Sequence, residues 1–379
     1  MTKPALCAIN KHLEIPEHVI PGGWVVGGMT RLLDVWTPSP LVMRAPSFRY
    51  AKHQLKFSFD ECVSKPIEYG KRSRLKQRIG IEKNRIYKLS ESDIFYDCRH
   101  DATENVAHVL QNQLAIALTA LQALGLEDRW RDLVFVVPAG TPSYSIRLFE
   151  VMGFRVIANS SEAISGWQIR MEPKKFPLRA IGSVVLRKHA VDVGILSDSD
   201  PDGDPVFLSR RARRTLTNMD EIEPIVNKAG YRTVFAEDIP VEEQIQIIAR
   251  SKGIFALHGA AMGYIMFRDS KRHGVVIECF SCGYATGWAR AICSQTGDTW
   301  LGGQGDLVPK VLIDLVDDRS ARAHQSSDYR LEPQSVQILQ SMESLANSTD
   351  EDIDPMRMLD GIKAMDIPVA KIPRKGGSL

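Results

Sequence analysis

Three apolar runs in the second half of the chain each end in polar or ionic side chains. Pro205-Val-Phe-Leu208 leads into Ser209-Arg-Arg-Ala-Arg-Arg214, Gly253-Ile-Phe-Ala-Leu257 into His258-Gly-Ala-Ala261, and Gly274-Val-Val-Ile277 into Glu278. If the runs are parallel strands, these residues gather at the carboxyl edge of one sheet, where open α/β folds bind ligands. Guanidinium groups hold phosphates and offset charge on a leaving diphosphate. Gly259, Ala260 and Ala261 let an anion approach the backbone N–H groups of a helix start, and a carboxylate accepts the two hydroxyls of a ribose. Taken singly, each of these residues also reads as a surface ion pair or a cap.

The elements needed to position them are legible in order. Pro205–Leu208 reads as a strand, and Asn218 as the N-cap of a helix, with Glu221 three residues on in a capping-box pattern. Gly230 ends that helix, Tyr231–Phe235 is a strand, Val241–Lys252 an amphipathic helix, and Gly253–Leu257 and Gly274–Ile277 are two more strands. This alternation predicts a Rossmann-like half. In the first half, Ile94–Tyr96 reads as a buried strand followed by a helix whose apolar residues run from Val106 to Leu124 at helical spacing, closed by Gly125. Asn105 and His108 share one face of its first turn. From periodicity alone His108 also suits a packed core position. Leu133–Val137, Ser143–Met152 and Phe154–Ala158 continue as strand, helix and strand, and Trp167–Leu186 as short β-like pieces. Residues 20–60 predict a lead-in of short strands and turns.

Composition excludes several classes. With 379 residues, 48 Lys and Arg against 46 Asp and Glu and a formal charge of +2, no global field points to nucleic acid or an anionic membrane. The basic run Lys71-Arg-Ser-Arg-Leu-Lys-Gln-Arg78 reads as a solvated face or as a contact for a membrane surface or anionic acceptor. The amino-terminal residues make a poor signal peptide and no apolar stretch is long enough to span a bilayer, which predicts a cytoplasmic protein. The six cysteines read as free thiols, including Cys279 and Cys282 at C-x-x-C spacing without a second pair. The acidic loop Asp198–Asp204 lacks the glutamate of a calcium loop and reads as a turn. No G-x-G-x-x-G follows an expected strand, which argues against a dinucleotide oxidoreductase.

Ser209-Arg210-x-x-x-Arg214-x-x-x-Asn218, Glu243-Gln244-Ile245, His258-Gly259-Ala260 and Val275-Val-Ile-Glu278, in that order, resemble glycosyltransferase family 61. Asn105-Val-Ala-His108-Val-Leu is similar to a further segment of that family, so the resemblance covers residues from about 95 to 285. It implies an α/β, GT-B-like fold with two Rossmann-like domains facing across a cleft. The boundaries expected on that basis are 1–190 for the acceptor-side domain with its β-rich lead-in, 191–320 for the nucleotide-sugar domain, and 321–379 for a polar segment with one helix, Pro333–Leu345, and a mobile tail.

The resemblance further implies inverting transfer from a nucleoside diphosphate sugar, UDP being the expected nucleotide, with no metal and no cofactor. Arg210 and Arg214 would hold the diphosphate, His258, Gly259, Ala260 and Ala261 would add contacts, Glu278 would take the ribose, and Asn218 would fix the arginine loop. His108 is the expected base, with Asp97 or Asp101 as alternatives, and Asn105 and Asp97 would lie on the acceptor side. The acceptor would be a carbohydrate or a lipid-linked glycan in cell-surface polysaccharide synthesis, handled by a cytoplasmic enzyme with peripheral membrane contact. Two positions depart from the family pattern, Ala261 in place of a glycine and Asn112 four residues beyond His108. They keep a non-catalytic nucleotide- or glycan-binding protein as the alternative.

Overall fold

The computed structural model describes residues 6–27, 41–45, 47–65, 85–172, 182–199, 202–281, 287–307, 328–347 and 369–370. The basic run 71–78, Asp200, Cys282 and nearly all of the tail beyond Asn347 lie outside the described residues. The chain divides into two compact units, one comprising 1–18 and 51–198, the other 19–50 and 199–379.

The sheet of the first unit is mixed. Its path runs Ile9–Ile15, His53–Ser64, Ala163–Glu172, Ile94–Asp97, Leu133–Val137 and Arg155–Ala158, with Ile86–Lys88 pairing beside Ala163–Glu172. The last four strands of the path are parallel, whereas His53–Ser64 is antiparallel to both of its neighbours. Sequence pattern follows this division. Ile94–Asp97 and Leu133–Val137 are buried along their whole length, as parallel strands covered on both faces must be. In His53–Ser64, by contrast, Leu55, Phe57 and Phe59 point inward and alternate with polar neighbours.

The expected long helix is present, but it has three parts: an α-helical turn Val106–His108, a π-helical segment Val109–Leu114, and an α-helix Ala115–Leu124. Asn105 caps its start by accepting from the Ala107 N–H at 3.0 Å. Gly125, at φ 68°, ends it in the left-handed conformation that glycine adopts without steric cost. The span 163–172 is one ten-residue strand and Gly182–Asp192 a helix, where sequence predicts short β-like pieces. That helix packs on Ala115–Leu124 and so belongs to the first unit's core.

In the second unit the strand order is Arg232–Phe235, Val206–Ser209, Gly253–Leu257, Val275–Phe280, Thr299–Gln304, Gly23–Gly27, Leu41–Ala45 and Val369–Ala370. The first five strands are parallel and joined by helical crossovers. Numbered along the chain they read 2-1-3-4-5, a doubly wound order. The strands at 23–27 and 41–45, which sequence reading groups with the lead-in of the first half, extend this second sheet beyond Thr299–Gln304. Trp24 and Val26 join its core because they offer apolar side chains to an otherwise open edge. The helix Pro333–Asn347 is also core: Val336, Leu339 and Met342 pack with Phe255, Ile277 and Leu301.

Candidate functional site

In a 2-1-3-4-5 sheet the chain leaves strand 1 toward one side, returns, and continues to the other side from strand 3. The crevice between the carboxyl ends of strands 1 and 3 is the switch point where such folds bind ligands. Here those ends are Ser209 and Leu257, so the switch point lies between Arg210 and His258.

Arg210 and Arg214 converge there. Both donate from Nη1 to the backbone carbonyl of His258, at 3.0 and 3.4 Å. Gly259 makes room for this approach, since a Cβ at that position would lie 2.5 Å from Arg210 Nη1 and 3.0 Å from its Cζ. Burial, and then the neighbouring Arg214 charge, lowers the Arg210 pKa from its ordinary value. Among the described residues neither arginine forms an ion pair with a carboxylate, although the Glu237 charge acts on Arg210 from further off. Arg211 does not contribute, because it turns away to Asp238 at 2.9 Å and lies 3.8 Å over the Phe235 ring.

The loop carrying the arginines is held from far along the chain. Arg214 sits at φ 57°, a left-handed conformation uncommon outside glycine, and such geometry persists only where the surroundings enforce it. They do: Thr215 N–H donates to Asp328 Oδ1 at 2.9 Å, Tyr329 N–H to the Thr215 carbonyl at 3.1 Å, and Thr217 N–H to the Tyr329 carbonyl at 2.9 Å. Asn218 occupies the N-cap position of helix Met219–Lys228, but its side chain forms no cap bond. It donates instead to the Leu331 carbonyl at 2.8 Å and accepts from the Leu331 N–H at 3.2 Å. Sequence reading missed this clamp at 328–331. The one signal was Tyr329 and Leu331 alternating inside a polar stretch.

On the other wall, the His258 N–H continues the strand ladder to the Cys279 carbonyl, and its ring stacks on Phe280 with centroids 5.3 Å apart. Its Nδ1 lies 2.6 Å from Glu278 Oε1, and Trp300 Nε1–H donates to Oε2 at 2.9 Å. Glu278 is 0 % exposed. The strand does not end at Glu278 as sequence predicts: it continues through Cys279 to Phe280, so the side chain expected at the ribose lies inside the strand with both oxygens engaged. One hydrogen is shared between Nδ1 of His258 and this carboxyl group, and the bond orients the ring. Gly259 caps a 3-10 helix, Ala260–Phe267, whose first N–H groups have no preceding carbonyl to bond. Ala260 and Ala261 form its half-buried opening turn.

Cys279 and Cys293 are packed apolar residues rather than ligands, burial first and nearby carboxylates second pushing both thiols up. Gln244 of the family-like segment is accounted for by structure, since its Nε2 ties the helix start to the Ala236 and Ile239 carbonyls at 2.8 and 3.0 Å.

Four expected residues lie in the first unit: His108, Asn105, Asp97 and the alternative Asp101. His108 is exposed in the first turn of its helix, and Asn105 is spent on capping that turn. Asp97 is a poor candidate for proton transfer. Arg99 Nη2 and Ser64 Oγ reach Oδ2 at 2.7 and 2.5 Å, while Arg99 Nε reaches Oδ1 at 3.0 Å. Burial acts to raise its pKa, but these bonds and the Arg99 charge together hold it below the usual carboxylate value.

The second unit is thus a doubly wound α/β sheet with two guanidinium groups at its switch point. Residues 155–277, about a third of the chain, match the family model described as Glycosyltransferase 61, so in that span the chain is similar to the glycosyltransferases of that family. The matched span contains Arg210, Arg214, Asn218 and His258–Ala261. No curated protein matches the chain. No helix among the described residues is long and apolar enough to cross a membrane.

Proposed function

We propose that the chain is an inverting, metal-independent glycosyltransferase that moves a sugar from a nucleoside diphosphate, UDP first, to a carbohydrate or lipid-linked glycan in cell-surface polysaccharide synthesis. The carrying observation is the convergence of Arg210 and Arg214 at the switch point without a carboxylate partner among the described residues. A diphosphate supplies the missing negative charge, and planar guanidinium groups suit its oxygens. As the glycosidic bond to phosphate breaks, charge grows on the leaving oxygens, where fixed cations stabilise it most. His258, oriented by Glu278, and the opening N–H groups at Ala260 and Ala261 are assigned to the same diphosphate.

Inversion is one in-line displacement. The acceptor hydroxyl gives its proton to a base and attacks the anomeric carbon on the face opposite the diphosphate. His108 is assigned as that base, with Asn105 holding its turn, and the two units are assigned as the halves of a GT-B enzyme. The reading also places the protein in the cytoplasm, in peripheral contact with a membrane.

The test is thermal unfolding with UDP, GDP, CDP and ADP, with and without chelator. A stabilisation by one diphosphate that ignores chelator and is lost in Arg210→Ala supports the donor site, since a ligand that binds only the folded state raises its stability. Loss of one such donor should also lower turnover by about 100-fold. No stabilisation by any nucleotide removes the proposal, and binding without turnover would favour the non-catalytic alternative suggested by Ala261 and Asn112.

A further inference from the structure

The first unit carries a cavity of about 440 Å³, within the range of small-molecule sites. Its origin is a change of partners along one strand. Ala163–Ser165 pairs with Ile86–Lys88, whereas Trp167–Gln168 pairs with Ile94–Phe95. At the handover Gly166, with φ 159°, brings the backbone against Leu89, whose Cβ would lie 3.2 Å from a side chain placed there. The chain from Leu89 to Asp93 loops aside to reach the next strand and leaves a hollow. It lies before the start of Ile94–Asp97, hence at the sheet edge opposite to Asp97 and the helix start at Asn105.

The lining has three parts. Trp167 is half-buried, and Phe59 lies against its ring with centroids 5.1 Å apart, so the indole is a fixed flat wall. Ser90, Ser92 and Ser165 add hydroxyls. Two carboxylates, Glu61 and Glu91, and two cations, Lys88 and Arg129, also line it. Arg129 is held in place by Asp132 Oδ2 at 2.8 Å and the Ser92 carbonyl at 3.0 Å.

With Arg129 already paired to Asp132, the mixed charges of the rim give no preference to a phosphate, and no group suited to hold a metal ion occurs among the described residues. Mixed donors and acceptors around a rigid aromatic face match a neutral polyhydroxylated ring, whose C–H face packs on the indole while its hydroxyls bond to the rim. We propose that this cavity binds a pyranose unit of a neutral glycan, away from the residues assigned to the transfer chemistry. The proposal rests on the glycosyltransferase reading for its ligand class. A four-residue strand separates the two edges by roughly 13 Å, so the cavity would grip a sugar of the acceptor chain other than the one that reacts.

Calorimetric titration of the full chain with short cello-, malto-, xylo- and galacto-oligosaccharides tests this. Binding to one series is expected, with affinity falling at least about tenfold, or about 1.4 kcal/mol, in Trp167→Ala. The paired substitution Glu61→Ala with Glu91→Ala leaves the Trp167–Phe59 packing intact and should weaken binding similarly, which separates loss of the site from loss of the fold. Nucleotide stabilisation should be unchanged in both variants. Absence of binding to every series, or binding indifferent to both variants, overturns the subsite. Trp167-dependent binding in a protein that ignores all nucleoside diphosphates would keep the subsite and remove the donor reading instead.

Discussion

Glu278 Oε1 lies 2.6 Å from His258 Nδ1, and the carboxylate is wholly buried, which ties the ring at the switch point to a group no solvent reaches. Trp300 fixes the second oxygen, so the ring inherits a defined orientation. Glu278→Gln keeps the shape but replaces the carboxyl partner of His258 by an amide, a loss of roughly 1–2 kcal/mol. Turnover or donor affinity should fall about five- to thirtyfold, with the circular dichroism spectrum unchanged and the Nδ1 proton resonance of His258 shifted. An unaltered proton resonance would remove the assigned role.

Gly259→Ala separates function from folding. At φ −177° the backbone accepts alanine freely, but the new methyl falls on the Arg210 guanidinium. That group is the far end of a flexible side chain and moves aside at little cost to the fold. The free protein should therefore unfold within a few degrees of wild type while stabilisation by the nucleoside diphosphate largely disappears. A full ligand shift in this variant would show that Arg210 does not need its observed place.

Acid sensitivity should trace partly to Asp97. Its folded pKa is held below the unfolded value, so its contribution is fully present above the unfolded pKa, about 3.9. That contribution is lost as pH falls through the lower folded value. Asp97→Asn leaves Arg99 buried with less compensation, a cost of up to about 3–5 kcal/mol at neutral pH. Chemical denaturation at a series of pH values should show the gap between wild type and variant closing below about pH 4; a gap that is constant with pH would contradict the assignment.

Gln113 is 0 % exposed, and neither of its amide atoms finds a hydrogen-bond partner among the described residues. It lies in the π-helical segment, where an unpaired buried polar group costs about 1–3 kcal/mol. Gln113→Leu, of similar volume, should raise the stability to urea by about that amount. A destabilised variant would mean that the amide has a partner, such as water, that the leucine cannot replace.

Much of this was legible because the relevant strands are continuous apolar runs. Leu133–Val137 and Gly253–Leu257 could be read to the residue, and with them the place of Arg210 and His258 at one edge. The Val106–Leu124 helix was equally clear, but its π segment was not, because an inserted residue changes the hydrogen-bond pattern without changing composition. Glu278 misled for a different reason. A carboxylate after Val275-Val-Ile277 reads as the end of a strand, yet the apolar run resumes at Cys279 and Phe280 and carries it inside. The strands at 23–27 and 41–45 and the clamp at 328–331 depend on partners far away in sequence, which local periodicity does not encode.

The distance between Asn218 and Leu331, 113 positions along the chain, bears on how the protein is made. Contacts of such long separation form late, because much of the chain must be ordered before they can close. On the ribosome the arginine loop would emerge and wait, its left-handed Arg214 unsupported, until the segment around Tyr329 is synthesised and docks. A nascent chain would then carry most of the parallel sheet while its cation pair stays unarranged until translation passes Leu331.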